Sequence, residues 1–252
     1  MRLPACTPFI PLLVKFGDSF ATMSSSFPMG SKPLKPMPFD KPRLYIYEHC
    51  PHCVKVRVAL GLKNIPHTLA FLANDEVEIP MSLVGKKVVP ILELGVPGEE
   101  SHEVLRESLD ICKRLDEDEA AFGPQMLAPL SDRNDLTQFM EANADLMRRL
   151  IRPRHVNAPL AEFQLKASRE AFIRNHPLKE PSLYEDNLAN TPALKKALEE
   201  QLLLLEPMIH SPDCCSLIFP SSRSITIIKD LVIPPKLLAY LKTFSEKADV
   251  PV

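Results

Sequence analysis

The chain has no charge excess, no long apolar run, no disulfide framework and no internal repeat, and each absence narrows what it does. Lys and Arg number 30 against 32 Asp and Glu, a formal net charge of -2 over 252 residues. Nothing here resembles the basic footprint that dominates nucleic-acid binding, so no nucleic-acid partner is expected. The densest apolar stretches, such as Leu202 to Leu205, fall far short of the ~20 residues that cross a bilayer, and no membrane partner is expected either. Six cysteines are too few to staple a chain of this length, which points to a reducing compartment. Of these, Cys6, Cys112, Cys214 and Cys215 have no spacing with chemical meaning and read as small packed or bystander thiols. No period of 20 to 50 residues is evident.

With 45% hydrophobic and 25% charged residues, the composition is that of a globular protein of one large or two ordinary domains. Residues 1–41 stand apart: they are rich in proline, carry a Ser24-Ser25-Ser26 run, and have only Asp18 and Asp40 as acids. Two readings fit them, a targeting segment or a disordered extension, with Pro4, Pro8 and Pro11 opposing an amphipathic or signal helix.

From Arg43 the pattern tightens. Leu44 to Tyr47 reads as a strand. Val54 to Lys63 has apolar residues at alternate positions, which taken alone would suit a strand, but its unbroken length, Pro51 before it, and Gly61 and Asn64 after it predict a helix. His67 to Leu72, Val88 to Leu94 and Ser101 to Leu105 read as further strands. Asp75 to Val84 reads as a weak helix interrupted at Pro80, and Glu107 to about Asp116 as a third helix. The order βαβαββα implies a parallel first pair joined by a crossover and an antiparallel last hairpin. Beyond a connector the signal is helical only, at about 132–150, 160–175, 191–209, 216–229 and 235–246. The expected fold class is α/β plus all-α. Residues 1–41 form an extension, 42–117 a first domain, 118–131 a linker and 132–252 a helical bundle.

Cys50-Pro51-His52-Cys53 falls where the first strand ends and the first helix begins. A thiol attacks a disulfide only as thiolate, and the unpaired N–H groups of a helix N-terminus lower a cysteine pKa from ~8.5 toward 4–7. Cys50 is thus expected to be an exposed, activated nucleophile. Cys53, one turn deeper and less ionised, is expected to resolve the mixed disulfide. Lys55 and Arg57 would add positive charge nearby. The competing reading is a metal pair using His49 and His52 with the two cysteines, but crowded consecutive ligands and the lack of a second CxxC argue for redox work, and no metal is expected.

Leu44-Tyr45-Ile46-Tyr47-Glu48-His49-Cys50-Pro51-His52-Cys53, Gly61-Leu62-Lys63-Asn64-Ile65-Pro66, Val84-Gly85-Lys86-Lys87-Val88-Val89-Pro90-Ile91-Leu92 and Glu107-Ser108-Leu109-Asp110-Ile111 resemble the two-domain glutaredoxin 2 family. The resemblance is dense from Arg43 to Leu115 and returns weakly around Leu217 to Tyr240. It implies a thioredoxin-like first domain, a helical domain like that of glutathione transferases, and a monomeric glutathione-disulfide oxidoreductase. The implied partners are glutathione, as co-substrate, and disulfide-containing or glutathionylated proteins. Carried onto this chain, it implies glutathione-binding roles for Pro51, His52, Val89, Pro90, Glu107 and Ser108. Val89 would pair with the cysteinyl part before a cis-Pro90, Glu107 and Ser108 would take the γ-glutamyl end, and His52 would stack on glutathione or stand exposed. Without the family, Pro90 reads as a trans proline in an edge strand and Glu107 or Ser108 as a plain helix cap. One departure is Ser211-Pro212-Asp213-Cys214, where cysteine stands for the family's cap carboxylate. Rival readings are a glutathione transferase proper, a non-catalytic redox-sensing or interaction module, and an iron-sulfur carrier. The expected location is the cytoplasm, or a plastid or mitochondrion if residues 1–41 are a transit peptide.

Overall fold

The computed structural model describes residues 41–127, 133–178, 183–209 and 225–250. Residues 1–40 of the expected extension 1–41, most of the predicted helix 216–229 and the altered cap at Ser211 to Cys214 lie outside these residues. Met37–Val252 forms one compact unit.

Its first part is a thioredoxin-like layer. The elements are β1 (Arg43–Ile46), α1 (Pro51–Leu62), β2 (Thr68–Phe71), α2 (Glu78–Val84), β3 (Ile91–Leu94), β4 (Glu103–Arg106) and α3 (Ser108–Glu117). The sheet order is β2-β1-β3-β4, with β1 parallel to β2 and antiparallel to β3, and β3 antiparallel to β4. This is the βαβαββα order expected. Alternation along the strands sends Leu44, Ile46, Leu92 and Leu94 into the core beneath α1 and α3. Tyr45 and Ile91 go to the opposite face, where Leu83 and Val84 of α2 cover them.

The strand-like alternation of α1 has a packing cause. The helix is buried on two faces: Cys53, Val56 and Leu60 lie in the core under the sheet, while Val54, Val58 and Leu62 pack with Ala248 and Val250. Each set is spaced three or four residues apart, as on one helical stripe, and two interleaved stripes look like period two in sequence. Gly61 does not stop the helix as expected. It lies inside, where a Cβ would sit 1.9 Å from the Ala248 carbonyl oxygen, so it is the point at which the C-terminal helix approaches. The stop falls to Asn64, in the left-handed region at φ 51.

A short α4 (Glu119–Phe122) leads into the helical domain: α5 (Asn134–Ala142), α6 (Ala144–His155), a 3₁₀ turn Ala161–Phe163, α7 (Lys166–Asn175), α8 (Tyr184–Ala189), α9 (Thr191–Leu205), a second 3₁₀ turn Glu206–Met208 and α10 (Pro235–Ala248). The predicted helix 132–150 is two helices. Buried Asn143 closes α5 by donating to the Phe139 carbonyl from both its amide groups (2.9 and 3.1 Å), while its own carbonyl accepts from Met147 (3.0 Å). Pro153 is buried inside α6, where its ring would ordinarily break a helix. The predicted 160–175 segment divides into the first 3₁₀ turn and α7, and α8 was not foreseen. Leu136, Leu150, Leu194, Leu198, Leu202, Leu205, Leu237 and Tyr240 belong to the core of this domain.

The end of α1 is pinned by a buried ion pair. Lys63 Nζ reaches Asp116 of α3 (3.2 Å) and the carbonyls of Gly123 and Pro124 (3.3 and 2.7 Å), and Asp116 accepts from the amides of Met126 and Leu127 (2.9 and 3.2 Å). Burial works to raise the Asp116 pKa, but these donors outweigh it and hold the carboxyl below its usual value.

Two tests of this architecture follow. Gly61→Ala gains roughly 1 kcal/mol of helix propensity, but a backbone carbonyl at the new Cβ cannot yield cheaply, so a net loss of ~1–3 kcal/mol is expected in chemical denaturation. Lys63→Met leaves Asp116 buried and unpaired, with an expected loss of ~3–5 kcal/mol at pH 7. Because the folded pKa of Asp116 is depressed, its contribution is full above the unfolded value of about 3.9 and disappears as pH falls through the folded value. The gap between wild type and Lys63→Met in pH-dependent denaturation should therefore narrow in acid.

Candidate active site

Cys50 occupies the cap position of α1, with extended backbone (φ -73, ψ 119) and Pro51 as the first helical residue. No side chain caps this helix, so its first amides are free to face the sulfur. The thiol pKa is lowered to about 7. A hydrogen bond from the Cys53 thiol is the largest cause, burial opposes it, and the Cys53 amide, the charge of His49 and the His52 amide add to the lowering. Cys53 is fully buried, and burial followed by the proximity of Cys50 pushes its pKa well up. The two sulfurs are free thiols with opposite proton affinities: Cys50 carries the charge and Cys53 keeps the proton.

One expectation needs correction. Cys50 is only 8% exposed rather than open, because it belongs to the core cluster beneath the sheet. Its sulfur is nonetheless at the helix opening, where the expected amides act on it. Among the largest causes, His49 is the charge that lowers the Cys50 pKa. Lys55 acts on His52, whose pKa is lowered by partial burial and then by the lysine.

The remaining predicted residues lie as follows. His52 is exposed, and its Nδ1 is 3.5 Å from the Ser108 hydroxyl, so the first turns of α1 and α3 meet there. The Val89–Pro90 peptide is cis, directly before β3, and Val89 packs against the cluster holding both cysteines. Glu107 caps α3 at φ 67 and makes no side-chain cap bond, and Ser108 behind it is buried. The plain-cap reading of Glu107 therefore fails, and a non-glycine residue in the left-handed region at a helix opening is the kind of strain found at binding sites. Cys112 is a buried bystander, its thiol pushed up to about 12 by burial. Among the described residues no group of three or more His, Cys, Asp or Glu is placed to hold a metal ion, and no helix is long and apolar enough to cross a membrane.

One part of the site had no sequence signal. Glu162, from the first 3₁₀ turn of the helical domain, is 0% exposed. It accepts from the amides of Glu48 (3.0 Å) and His49 (2.9 Å), and the His49 ring Nδ1 lies 2.6 Å from the same carboxylate. In return, Glu48 accepts from the Ala161 amide (2.8 Å). Around the His49 ring stand Tyr47, His155, Phe163 and Phe172, with centroids 4.9 to 5.8 Å away. Burial depresses the His155 pKa far below its usual value, so that ring is neutral.

Fold and site together define the class: a thioredoxin-fold dithiol protein whose CxxC is closed from one side by a glutathione-transferase-like helical domain. The comparisons name the type. The family model "Glutaredoxin 2, C terminal domain" matches residues 135–252, and "Glutathione S-transferase, N-terminal domain" matches 44–124. Glutaredoxin 2 of Escherichia coli (strain K12) is 28% identical over 218 residues, 82% of this chain and 96% of that protein. The crystal structure of glutaredoxin 2 from Salmonella typhimurium in complex with glutathione is 29% identical with a TM-score of 0.74, covering 83% of this chain and 95% of that one. FzlA from C. crescentus, at 17% identity and TM-score 0.51 over 84% of this chain and 88% of its own, shares the fold. Both halves of the chain are similar to glutaredoxin 2.

Alkylation with iodoacetamide, read at Cys50 by peptide mass spectrometry, should have its midpoint at about 7, while Cys53 stays unmodified until the protein unfolds. A midpoint like that of an unperturbed thiol, about 8.5, would contradict the geometry.

Proposed function

We propose that this protein is a glutathione-dependent thiol-disulfide oxidoreductase, a dithiol glutaredoxin acting on glutathione mixed disulfides of proteins and small thiols. The observation that carries the reading is the split between the two thiols at one helix opening, one ionised near neutrality and one kept protonated. The match to glutaredoxin 2 across both halves of the chain supports it, and the glutathione in the Salmonella typhimurium structure supports glutathione as co-substrate.

The steps balance without any further reactant. Cys50 thiolate attacks the glutathione sulfur of a mixed disulfide. The S–S bond breaks, the substrate thiolate departs and takes a proton, and a Cys50–glutathione disulfide forms. A second glutathione thiolate then attacks the glutathione sulfur of that adduct, releasing oxidised glutathione and restoring the Cys50 thiolate. Alternatively, Cys53 loses its proton and attacks Cys50, releasing reduced glutathione and leaving a Cys50–Cys53 disulfide that two further glutathiones reduce. In this reading the Val89 backbone beside cis-Pro90 aligns the cysteinyl part of glutathione, and Ser108 with the opening of α3 receives the γ-glutamyl carboxylate. Pro51 shapes the turn under the nucleophile, and His52, bridging to Ser108, lines the same groove.

A transferase reading gains from the match of residues 44–124 to a glutathione S-transferase N-terminal domain. Conjugation needs no second cysteine, whereas Cys53 is the group that most lowers the Cys50 pKa. We further propose that the protein acts as a monomer in the cytoplasm, or in a plastid or mitochondrion if residues 1–41 are a transit peptide.

Cys50→Ser should abolish glutathione-dependent reduction of a small mixed disulfide. Cys53→Ser should retain the route through a second glutathione while losing reduction of intramolecular protein disulfides. Full activity in Cys50→Ser, or conjugation of an aromatic halide faster than disulfide exchange in the wild type, would overturn the reading.

A further inference from the structure

We infer that Glu162 of the helical domain is a positioning residue for the thiol chemistry, acting through His49 on Cys50. The inference rests on the proposed function, because it concerns the reactivity of the same nucleophile.

Three donors from two consecutive residues converge on one carboxylate: the Glu48 amide, the His49 amide and His49 Nδ1. Glu48 and His49 immediately precede the nucleophile, so the carboxylate fixes both the backbone leading into Cys50 and the plane of the ring beside it. A fully buried acid is costly unless it is multiply hydrogen-bonded. Burial does work to raise the Glu162 pKa, yet the His49 side chain and then the nearby amide outweigh it, and the carboxyl stays below its usual value. The acid is thus ionised, and it faces the ring whose charge lowers the Cys50 thiol.

The surroundings leave the His49 ring few alternatives. Its faces and edge meet Tyr47 at the end of β1, Phe163 of the 3₁₀ turn, and His155 and Phe172 of α6 and α7. Of the titratable groups there, His155 is neutral and burial keeps Tyr47 protonated. His176, stacked on Phe172, has its pKa lowered by burial. Glu48 is engaged with the Ala161 amide and Glu76 acts on Tyr47. Glu162 is therefore the acid in contact with the ring, and it comes from 113 residues further along the chain. Further contacts hold that turn to the first domain: the Asn74 amide donates to the Glu162 carbonyl (3.0 Å), and the Ser168 hydroxyl donates to Asp75. Any loosening of the helical domain would be felt at Cys50 through this carboxylate.

The test uses the full chain. Glu162→Gln keeps the shape and one acceptor oxygen for the backbone amides but removes the negative charge facing the ring. At pH 6 its Cys50 should be alkylated about tenfold more slowly than in wild type, with the difference vanishing above pH 9 where both are thiolate. Reduction of a glutathione mixed disulfide should fall in parallel at pH 6. His49→Asn, which leaves Glu162 native and offers an amide donor near the Nδ1 position, should shift the same profile even if Glu162→Gln folds poorly. The double variant should shift it no further than the larger single effect, because the two act as one unit. A lowered thermal midpoint with the alkylation profile unmoved in both single variants would reduce Glu162 to a structural strut and overturn the inference, while wild-type activity and the loss in Cys50→Ser would leave the proposed function standing. Failure of the wild type itself to show an acidic Cys50 would instead overturn the function.

Discussion

Helix α1 is packed on every side that matters, and this constraint organises the protein. One stripe of it fills the space under the sheet and another meets Ala248 and Val250 at the end of the chain, so its axis cannot shift without opening two cores. Its far end is locked by Lys63 in a buried pair with Asp116 and by the close approach of Ala248 to Gly61. A helix held so firmly fixes the direction of its first amides, and those amides are part of what makes the Cys50 sulfur acidic. Reactivity here is therefore a consequence of packing some 15 Å away, about ten residues of helical rise from the thiol.

The two cysteines show how one turn of helix separates chemical roles. Cys50 sits at the cap with amides and the His49 charge around it, and Cys53 sits one turn in with apolar neighbours. Desolvation acts on both, but only Cys50 has enough donors to overcome it. The low exposure of Cys50 is consistent with this balance, and Val89 packs against the same cluster while His52 meets Ser108 at the neighbouring helix opening.

The helical domain contributes more than support. Glu162 enters the first domain at the segment just before the CxxC and satisfies its backbone, as a loop residue would in a single-domain protein. Glu48 and Ala161 close the exchange from the other side, so each domain completes a hydrogen-bond set left open in the other.

Much of this was legible in the chain itself. The strand order, the helix opening at Pro51 and the CxxC at a strand-to-helix boundary depend on local periodicity and capping, which are written in neighbouring residues. The fold type and the implied glutathione groove followed from the resemblance of four short segments. The role of Gly61 was not legible, because it depends on Ala248, a partner distant in sequence that overrides local propensity. The same holds for the site. Sequence alone determined that a cysteine would meet free amides at the start of a helix. Only the tertiary structure decided how buried that cysteine is, which charge stands beside it, and that a carboxylate from the other domain holds that charge in place. The reason is that hydrogen bonds and burial act over a few ångströms of space, whatever the separation along the chain.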